Sequence, residues 1–127
     1  MAVLVKRKRK GNPMPKTQRV IKFRARWKDT KKIVEDFMQE YGLEALNDEV
    51  FIVEQFTGLH DKNGKEIFEG DVLKDENNGS VLGHITEVVY FQPEFCLRDS
   101  KKRAFTLFRG GLYEVLGNVF ENPELLK

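Results

Sequence analysis

Apolar and polar positions alternate with a period of two in the segment VIKFRARW, residues 20–27. The apolar residues Ile21, Phe23, Ala25 and Trp27 alternate there with the basic residues Lys22, Arg24 and Arg26. Successive side chains of a strand point to opposite faces, so the pattern predicts a half-buried strand. We interpret the basic face as solvated. The alternative is a stripe that binds phosphate, with Trp27 stacking on a base.

The spacing changes in DTKKIVEDFMQEYGLEALND, residues 29–48, which predicts a helix. Asp29 or Thr30 is suited to cap it, and Gly42 is suited to end it before a further short turn. One face of this helix would carry the apolar residues Ile33, Val34, Phe37, Met38 and Tyr41. We interpret this apolar stripe as part of the core, and a partner-binding face is the alternative.

The rest of the chain is a series of short β-branched and aromatic segments separated by turn sequences. The segments are EVFIVEQF, GKEIFEGDVLK, GHITEVVYF, FCLRD, RAFTLF and LYEVLGNVF, with turns at KNGK, ENNGS, QPE, DSKK and RGG. Strands that recur about every 10 residues favour a small sandwich or barrel. The predicted fold class is mainly β (a β-rich α+β protein): a small SH3-like or barrel-type antiparallel sheet domain with one short helix and a disordered basic N-terminal arm.

The stretch FTGLHDKNGKEIFEGDVL, residues 56–73, is dense in residues that bind ligands elsewhere. It fits neither a calcium loop nor a phosphate loop, because its glycines, carboxylates and lysines fall at the wrong spacings. A hairpin explains it better. Asn63 and Gly64 suit a type I′ turn, Asp61 can bond to the turn backbone, and Gly70 permits a bulge or bend. Asp71 can then accept backbone N–H groups at that bend.

A catalytic use of this stretch is the weaker alternative. Glu69 and Asp71 lie two residues apart and would share one face of a strand. Together with His60 or His84 they would suit a hydrolase. Neither a nucleophile set nor a cluster of metal ligands can be placed from the sequence, so we expect no catalytic residue, no metal and no cofactor.

Charge is distributed unevenly along the 127 residues. Residues 1–28 contain eleven Lys and Arg and no acidic residue, which leaves the other 99 residues with a net charge of −9. Residues 1–19, the basic arm, are predicted to be disordered. Five consecutive cations lie within it: Lys6, Arg7, Lys8, Arg9 and Lys10. We interpret the arm as a solvated tail. The alternatives are that it binds nucleic acid, an anionic partner or the chain's own acidic face, and Met14 is an alternative start that would remove the five cations.

The single cysteine, Cys96, excludes an internal disulfide and a multi-cysteine metal site. It lies between apolar neighbours and is interpreted as a buried small hydrophobe, with a reactive thiol as the alternative. No apolar run approaches the roughly 20 residues that a membrane span needs, and MAVLV is too short for a signal peptide. These features predict a protein of a reducing cytoplasm.

Three segments together resemble the YopX family of phage and prophage proteins. FTGLHDKNGKEIFEGDVL is similar to the family signature, in which TGL, D, NG and EGD recur in this order. IKFRA resembles its opening strand, and EVLGNVFENPELL its closing segment. Arg26 departs from the pattern by separating Ala25 from Trp27, and residues 1–13 lie outside it. The signature residues matched are Gly58, Asp61, Asn63, Gly64, Glu69, Gly70, Asp71, Gly117, Asn118, Glu121, Asn122 and Pro123.

The resemblance implies a β-rich accessory protein encoded by a phage or prophage, and supplies no established activity and no catalytic residues. We therefore interpret the signature residues as structural, with residues 1–19 as an arm and 20–127 as the domain. The expected function is a non-enzymatic protein-interaction module in the cytoplasm of a bacterial host, forming a homo-oligomer or binding a host or phage protein. The alternative is an accessory protein that binds nucleic acid non-specifically through Lys6 to Lys10, extended by Lys22, Arg24, Arg26 and Trp27.

Overall fold

Eight strands form two antiparallel sheets in the computed structural model, which describes residues 20–76, 84–107 and 112–126. The predicted mainly β class is confirmed. The strands are β1 (Phe23–Trp27), β2 (Phe51–His60), β3 (Glu66–Phe68), β4 (Asp71–Asp75), β5 (His84–Phe91), β6 (Glu94–Asp99), β7 (Ala104–Thr106) and β8 (Tyr113–Asn118). One sheet has the order β1-β2-β3 and the other β7-β6-β5-β4-β8. The described strands do not close into a barrel, and SH3-like character stays a prediction. The basic arm lies outside the described residues.

The three-stranded sheet buries one face against the segment that connects β1 to β2. Its core contains Ala25, Val34, Phe37, Ala45 and Phe51, with Trp27 and Val53 packed against it. Trp27 packs on Phe51, with ring centroids 5.0 Å apart. The alternation thus predicts the apolar face correctly at Ala25 and Trp27. The strand begins only at Phe23, and Ile21, which the pattern places on the same face, is 58% exposed.

The predicted helix over residues 29–42 is wrong in its first half. Lys31 has a φ of 65° and Asp36 a φ of 50°, and both values interrupt a right-handed helix. The N–H of Val34 instead donates to the carbonyl of Ala25 at 2.9 Å, so this stretch pairs with the outer edge of β1. Pairing satisfies an edge that would otherwise be open. Only α1 (Phe37–Glu40) is helical, and a 3-10 helix (Leu43–Asn47) follows Gly42.

The apolar stripe of that segment is split between core and surface. Val34 and Phe37 are buried, as the sequence predicts, whereas Ile33 and Tyr41 are 41% and 45% exposed. A helix would have placed all of them on one face. Pairing of residues 32–34 with β1 turns Ile33 and Val34 to opposite sides, so only one of the two reaches the core.

The five-stranded sheet carries the second core, formed by Ile67, Leu73, Val88, Leu97 and Tyr113. Ile67 belongs to β3 of the other sheet, so this core joins the two sheets. Cys96 on β6 is half-buried rather than fully buried. Burial and the neighbouring Glu94 raise the pKa of its thiol, which disfavours the reactive thiolate.

The β2–β3 hairpin is confirmed, but its turn differs from the type I′ prediction. Gly64 has a φ of 84°, whereas Asn63 does not have a positive φ. The N–H of Gly64 donates to the carbonyl of Asp61 at 3.0 Å. This is a type I turn followed by a left-handed glycine, the usual solution for a longer hairpin loop.

Asp61 holds this loop and attaches it to β8. Its Oδ1 accepts the N–H groups of Asn63 (2.8 Å) and Lys65 (2.9 Å), and its Oδ2 accepts the N–H of Val115 (3.0 Å). Burial acts to raise the pKa of Asp61, but these three hydrogen bonds outweigh it and lower the pKa below its ordinary value. The predicted role of Asp61 in the turn is therefore confirmed, and it also reaches a strand 54 residues away.

Replacing Asp61 with alanine is expected to lower the free energy of unfolding by about 2 kcal/mol near neutral pH, because three N–H groups lose a charged acceptor. A carboxylate whose pKa is depressed by folding stabilises the fold above the unfolded pKa, about 3.9, and loses that contribution as pH falls through the folded value. Urea unfolding of both proteins across this pH range measures the difference. It should shrink below about pH 4. Asp29→Ala serves as the control, because among the described residues the Asp29 carboxylate accepts a hydrogen bond from the adjacent Thr30 N–H alone. A difference that does not vary with pH would contradict the assignment.

Candidate functional site

The polar face of the three-stranded sheet lies against the five-stranded sheet and does not carry a simple solvated stripe. Arg26 is 2% exposed, so the expected solvated basic face is wrong at this position. The Nε of Arg26 bonds to Glu54 Oε1 at 3.1 Å, its Nη1 to the carbonyl of Lys31 and its Nη2 to Glu121 Oε2 at 3.2 Å. All three positions along the guanidinium group are thus occupied by protein acceptors.

Arg24 is also paired with carboxylates, although a quarter of its side chain remains exposed. Its Nε donates to Glu54 Oε1 at 2.8 Å and its Nη2 to Asp71 Oδ1 at 2.5 Å. Its guanidinium carbon lies 4.4 Å from the centre of the Phe68 ring. These contacts fix the guanidinium between the sheets and leave little of it for a phosphate.

Glu54 joins the two arginines to the rest of the site. It lies opposite Arg24 in the β1–β2 register and is 2% exposed. Its Oε1 accepts both arginines, and its Oε2 accepts the side-chain amide of Asn118 at 3.0 Å. A buried carboxylate needs such partners, because an unpaired charge is costly in the interior. Arg24, Arg26, Glu54, Asp71, Asn118 and Glu121 are called the network below.

The signature residues Gly70 and Asp71 carry the chain from one sheet to the other. Gly70 has a φ of 88°, which confirms the predicted bend between β3 and β4. Its N–H donates to Val88 at 2.8 Å and its carbonyl accepts the N–H of Val119 at 2.9 Å. Asp71 Oδ2 accepts the N–H of Phe68 at 2.8 Å, as the sequence predicts for a bend. A Cβ at Gly70 would overlap the carboxylate of Glu54.

The closing segment, residues 114–126, packs beside Glu54 and Asp71. β8 ends at Asn118, whose side-chain amide donates to Glu54 and to Asp71 Oδ1. The side-chain oxygen of Asn118 accepts the N–H of Phe120, and that of Asn122 accepts the N–H of Asn118 at 3.3 Å. A Cβ at Gly117 would overlap the Asn122 side chain. A 3-10 helix (Pro123–Leu126) follows and begins with Pro123, a residue that suits the first position of a helix.

Two carboxyl groups of this region have altered proton affinity. Burial raises the pKa of Asp71, and the Arg24 charge with the hydrogen bonds from Phe68 and Asn118 offsets only part of that effect. Burial also raises the pKa of Glu69. The hydrogen bond from the Gln55 N–H acts to lower this pKa, and the negative charge of Glu54 acts to raise it further. Both carboxylates therefore gain from a nearby cation.

An open groove of about 750 Å³ runs beside the network, between the two sheets. One wall contains Glu54, Glu69 and Gly70, and the other is formed by residues 87–92 of β5 and its turn. The hydrogen bond from Gly70 to Val88 joins the walls. Three aromatic residues are among those that line it: Tyr90, Phe91 and Phe120. Tyr90 is 47% and Phe91 62% exposed, which is unusual for side chains of this size.

The three carboxylates that line the groove differ in whether a cation is paired with them. Glu54 is paired with two arginines, and Glu87 is paired with Arg98 at 3.2 Å. Glu69 accepts the N–H of Gln55 at 3.2 Å, and among the described residues no lysine or arginine forms an ion pair with it. The groove thus presents one half-buried carboxylate without a cation, close to aromatic side chains.

The remaining predicted site residues lie elsewhere. Lys22 is exposed and pairs with Glu66 at 2.6 Å. Trp27 packs within the first core, so its ring is only partly available for stacking. His60 packs edge-on against Phe56 in the β2–β3 hairpin. The side chain of His84 and the residues Lys6 to Lys10 lie outside the described part. The described residues contain no cluster of His, Cys, Asp or Glu suited to hold a metal ion.

The sequence patterns single out every network residue except Glu54. Glu54 lies in the strand EVFIVEQF, where its neighbours Val53 and Phe56 are apolar and partly or fully buried. A carboxylate in the centre of an apolar strand, opposite a strand with two arginines, is the signal that could have found it.

Comparison with known proteins identifies the group to which these features belong. The family model described as "YopX protein" matches residues 16–127. The crystal structure of protein EF1440 from Enterococcus faecalis is similar, with a TM-score of 0.61 and 23% sequence identity, covering 87% of this chain and all of that one. At that identity the likeness shows a shared fold. No curated protein matches the chain. No helix among the described residues is long and apolar enough to cross a membrane.

Proposed function

The chain belongs to the YopX family, and from that premise we propose that it is a non-enzymatic protein-binding module that receives a polypeptide segment in the groove between its sheets. The fold of the signature residues supports this role. Gly70 and the network hold one wall of the groove in place, and the network side chains bond to one another rather than to an open reaction site. The proposed setting is a phage or prophage accessory protein in the bacterial cytoplasm, with a host or phage protein or a second copy as partner.

The exposed aromatic pair at the groove is the observation that carries this proposal. Tyr90 and Phe91 are consecutive exposed residues at the end of β5, before the turn to β6, and both belong to the groove lining. Exposed aromatic side chains beside a concave surface are typical of binding sites, because they bury a large apolar area on association at a small cost in side-chain entropy. The groove is also large enough for several side chains of a peptide.

Asp71 and Glu69 are poor candidates for hydrolysis, which favours binding over catalysis. Both oxygens of Asp71 accept hydrogen bonds from the protein, so the carboxylate is held as part of the network. A general base must reach a proton of the substrate with a free oxygen. Glu69 does face the groove, but His60 lies in the hairpin and does not line it.

Self-association through the groove gives the first test. Phe91→Ala is expected to weaken association at least about tenfold, because an aromatic residue at the centre of an interface commonly contributes about 2 kcal/mol or more. Sedimentation velocity over a range of concentrations measures the association. Since Phe91 is exposed, its replacement should change the free energy of unfolding by less than about 0.5 kcal/mol.

Leu43→Ala is the matched control, because Leu43 is 68% exposed and belongs to the layer that covers the other face of the three-stranded sheet. It should leave association unchanged. A wild-type protein that remains monomeric throughout would exclude self-association. Weakening by Leu43→Ala and not by Phe91→Ala would place the interface away from the groove.

Nucleic-acid binding remains the second candidate, and the charge of the basic arm is the observation that favours it. Arg24 and Arg26 are paired with carboxylates, so they contribute little to a basic surface that could bind nucleic acid. Binding would then depend on Lys6 to Lys10 with Lys22. It should weaken steeply with salt, because each neutralised phosphate releases counterions. Fluorescence anisotropy with DNA and RNA, comparing the full chain with a chain starting at Met14, distinguishes the two candidates.

A further inference from the structure

The carboxylate of Glu69 lines the groove without a cationic partner among the described residues, although it accepts the N–H of Gln55. Folding has placed this group half in the interior, where a charge without a counter-ion is unfavourable. The other two carboxylates of the groove have arginine partners within 3.2 Å. A ligand that brings a cation to Glu69 would relieve this imbalance, and Tyr90, Phe91 and Phe120 would contact its apolar stem or neighbouring side chains.

The chain itself contains a segment of this chemistry outside the described residues. Residues 1–19 carry seven cations and no acidic residue, and the apolar run MAVLV directly precedes Lys6 to Lys10. The rest of the chain is acidic. The family model begins at residue 16, so the part of the arm that contains the five consecutive cations is additional to the matched domain.

The point at which the arm meets the domain lies close to Glu69. The carbonyl of Lys22 accepts the N–H of Phe56 at 2.8 Å, which places the start of β1 beside the middle of β2. The adjacent residue Gln55 exchanges hydrogen bonds with Glu69 on the far side of β2. The start of β1 is therefore about two strand spacings, roughly 10 Å, from Glu69. The nine residues between Lys10 and Val20 can extend to about 30 Å, so the cations can reach the groove.

We propose that the basic arm, residues 1–19, docks in the groove of its own chain, with a lysine or arginine of the 6–10 cluster at Glu69 and the apolar run MAVLV against the exposed aromatic side chains. The arm then competes with the polypeptide partner and lowers its apparent affinity. This inference rests on the proposed function only in that both use the same groove. Salt weakens the contact, since it depends on a few partly exposed charges.

Carbodiimide cross-linking of the full chain, followed by peptide mass spectrometry, tests the contact directly. The protein is held at a concentration where sedimentation shows a monomer. We expect cross-links from Lys6, Lys8 or Lys10 to Glu69, and these should disappear at high salt. Glu69→Gln should abolish them while leaving the yield of other cross-links unchanged. Glu35 is exposed and follows Val34 on the opposite side of the three-stranded sheet, so Glu35→Gln is the matched control.

A second variant measures the competition. Replacing all five residues Lys6 to Lys10 with glutamine in the full chain is expected to strengthen groove-dependent association about tenfold at low salt, and to have no effect at high salt. Arm cross-links spread evenly over exposed carboxylates such as Glu35, with association unchanged in the glutamine variant, would overturn the inference. In that case loss of association in Phe91→Ala would still support the proposed function. Cross-links to Glu69 with no effect of Phe91→Ala would instead retain arm docking and reject the partner-binding role.

Discussion

Replacing Glu54 with glutamine is expected to lower the free energy of unfolding by about 3–5 kcal/mol, because it removes the buried carboxylate that Arg24 and Arg26 share. Each arginine then keeps one acidic partner, Asp71 or Glu121, for a charge that two carboxylates balance in the wild type. The glutamine has nearly the same shape, so the effect reports charge and hydrogen bonding rather than a cavity. Its amide would also face the donating groups of Arg24, Arg26 or Asn118, where the carboxylate accepts from all three. Urea unfolding followed by the fluorescence of Trp27, the single tryptophan, measures the change.

The same substitution at the exposed residue Glu35 is the control and should change the free energy of unfolding by less than about 0.5 kcal/mol. It removes the same charge from the protein without touching the network. If the free energy of unfolding of Glu54→Gln lies within about 1 kcal/mol of the wild-type value, the network is not a principal connection between the sheets. That result would mean that the second core alone holds the two sheets together.

Replacing Gly70 with alanine is expected to have the next largest effect. Its φ of 88° is unfavourable for a residue with a side chain, and the new Cβ would overlap the carboxylate of Glu54. That carboxylate cannot move away without losing the two arginines and Asn118. Backbone strain of about 1–2 kcal/mol thus combines with disruption of the network. The free energy of unfolding from urea denaturation is again the measurement.

Gly64 provides a matched comparison, since it has a similar φ of 84° and an added Cβ there meets no atom within 4 Å. The loss of stability in Gly64→Ala should therefore come from backbone strain alone. We expect Gly70→Ala to be more destabilising by about 1–3 kcal/mol, the usual cost of leaving buried polar groups unsatisfied. Equal effects at the two glycines would show that the Glu54 side chain moves aside freely and that the network does not hold it in place.

The sequence predicts the strands well because their signals are local. Alternation identifies β1, and β-branched runs between turn residues identify the others, with Asp61 and Gly70 in the roles expected of them. The signature also contains half of the network. Its members Asp71, Asn118 and Glu121 come together in space although the closing segment lies some 50 residues after the hairpin. The family signature thus identifies residues that are far apart in the sequence and close in space, which local sequence patterns cannot do.

The failures have a common physical cause, which is tertiary pairing. Residues 29–36 have a helical spacing, yet they gain more by pairing with the open edge of β1 than by forming a helix turn. Arg26 has the position of a solvated residue in its strand, but a second sheet covers that face and supplies its acceptors. Alternation shows that a face is polar and does not show whether water or another polar face lies against it.

If this protein binds a polypeptide in the groove between its sheets, association should protect the backbone amides of the groove walls. Hydrogen–deuterium exchange of the full chain measures this protection, at protein concentrations below and above the one at which sedimentation shows the mass to increase. We expect slower exchange on association in residues 87–92 and 119–120, which line the groove, and unchanged exchange in residues 43–47 on the opposite layer. Protection confined to residues 43–47, or to the edge strand β7, would place the binding surface away from the groove.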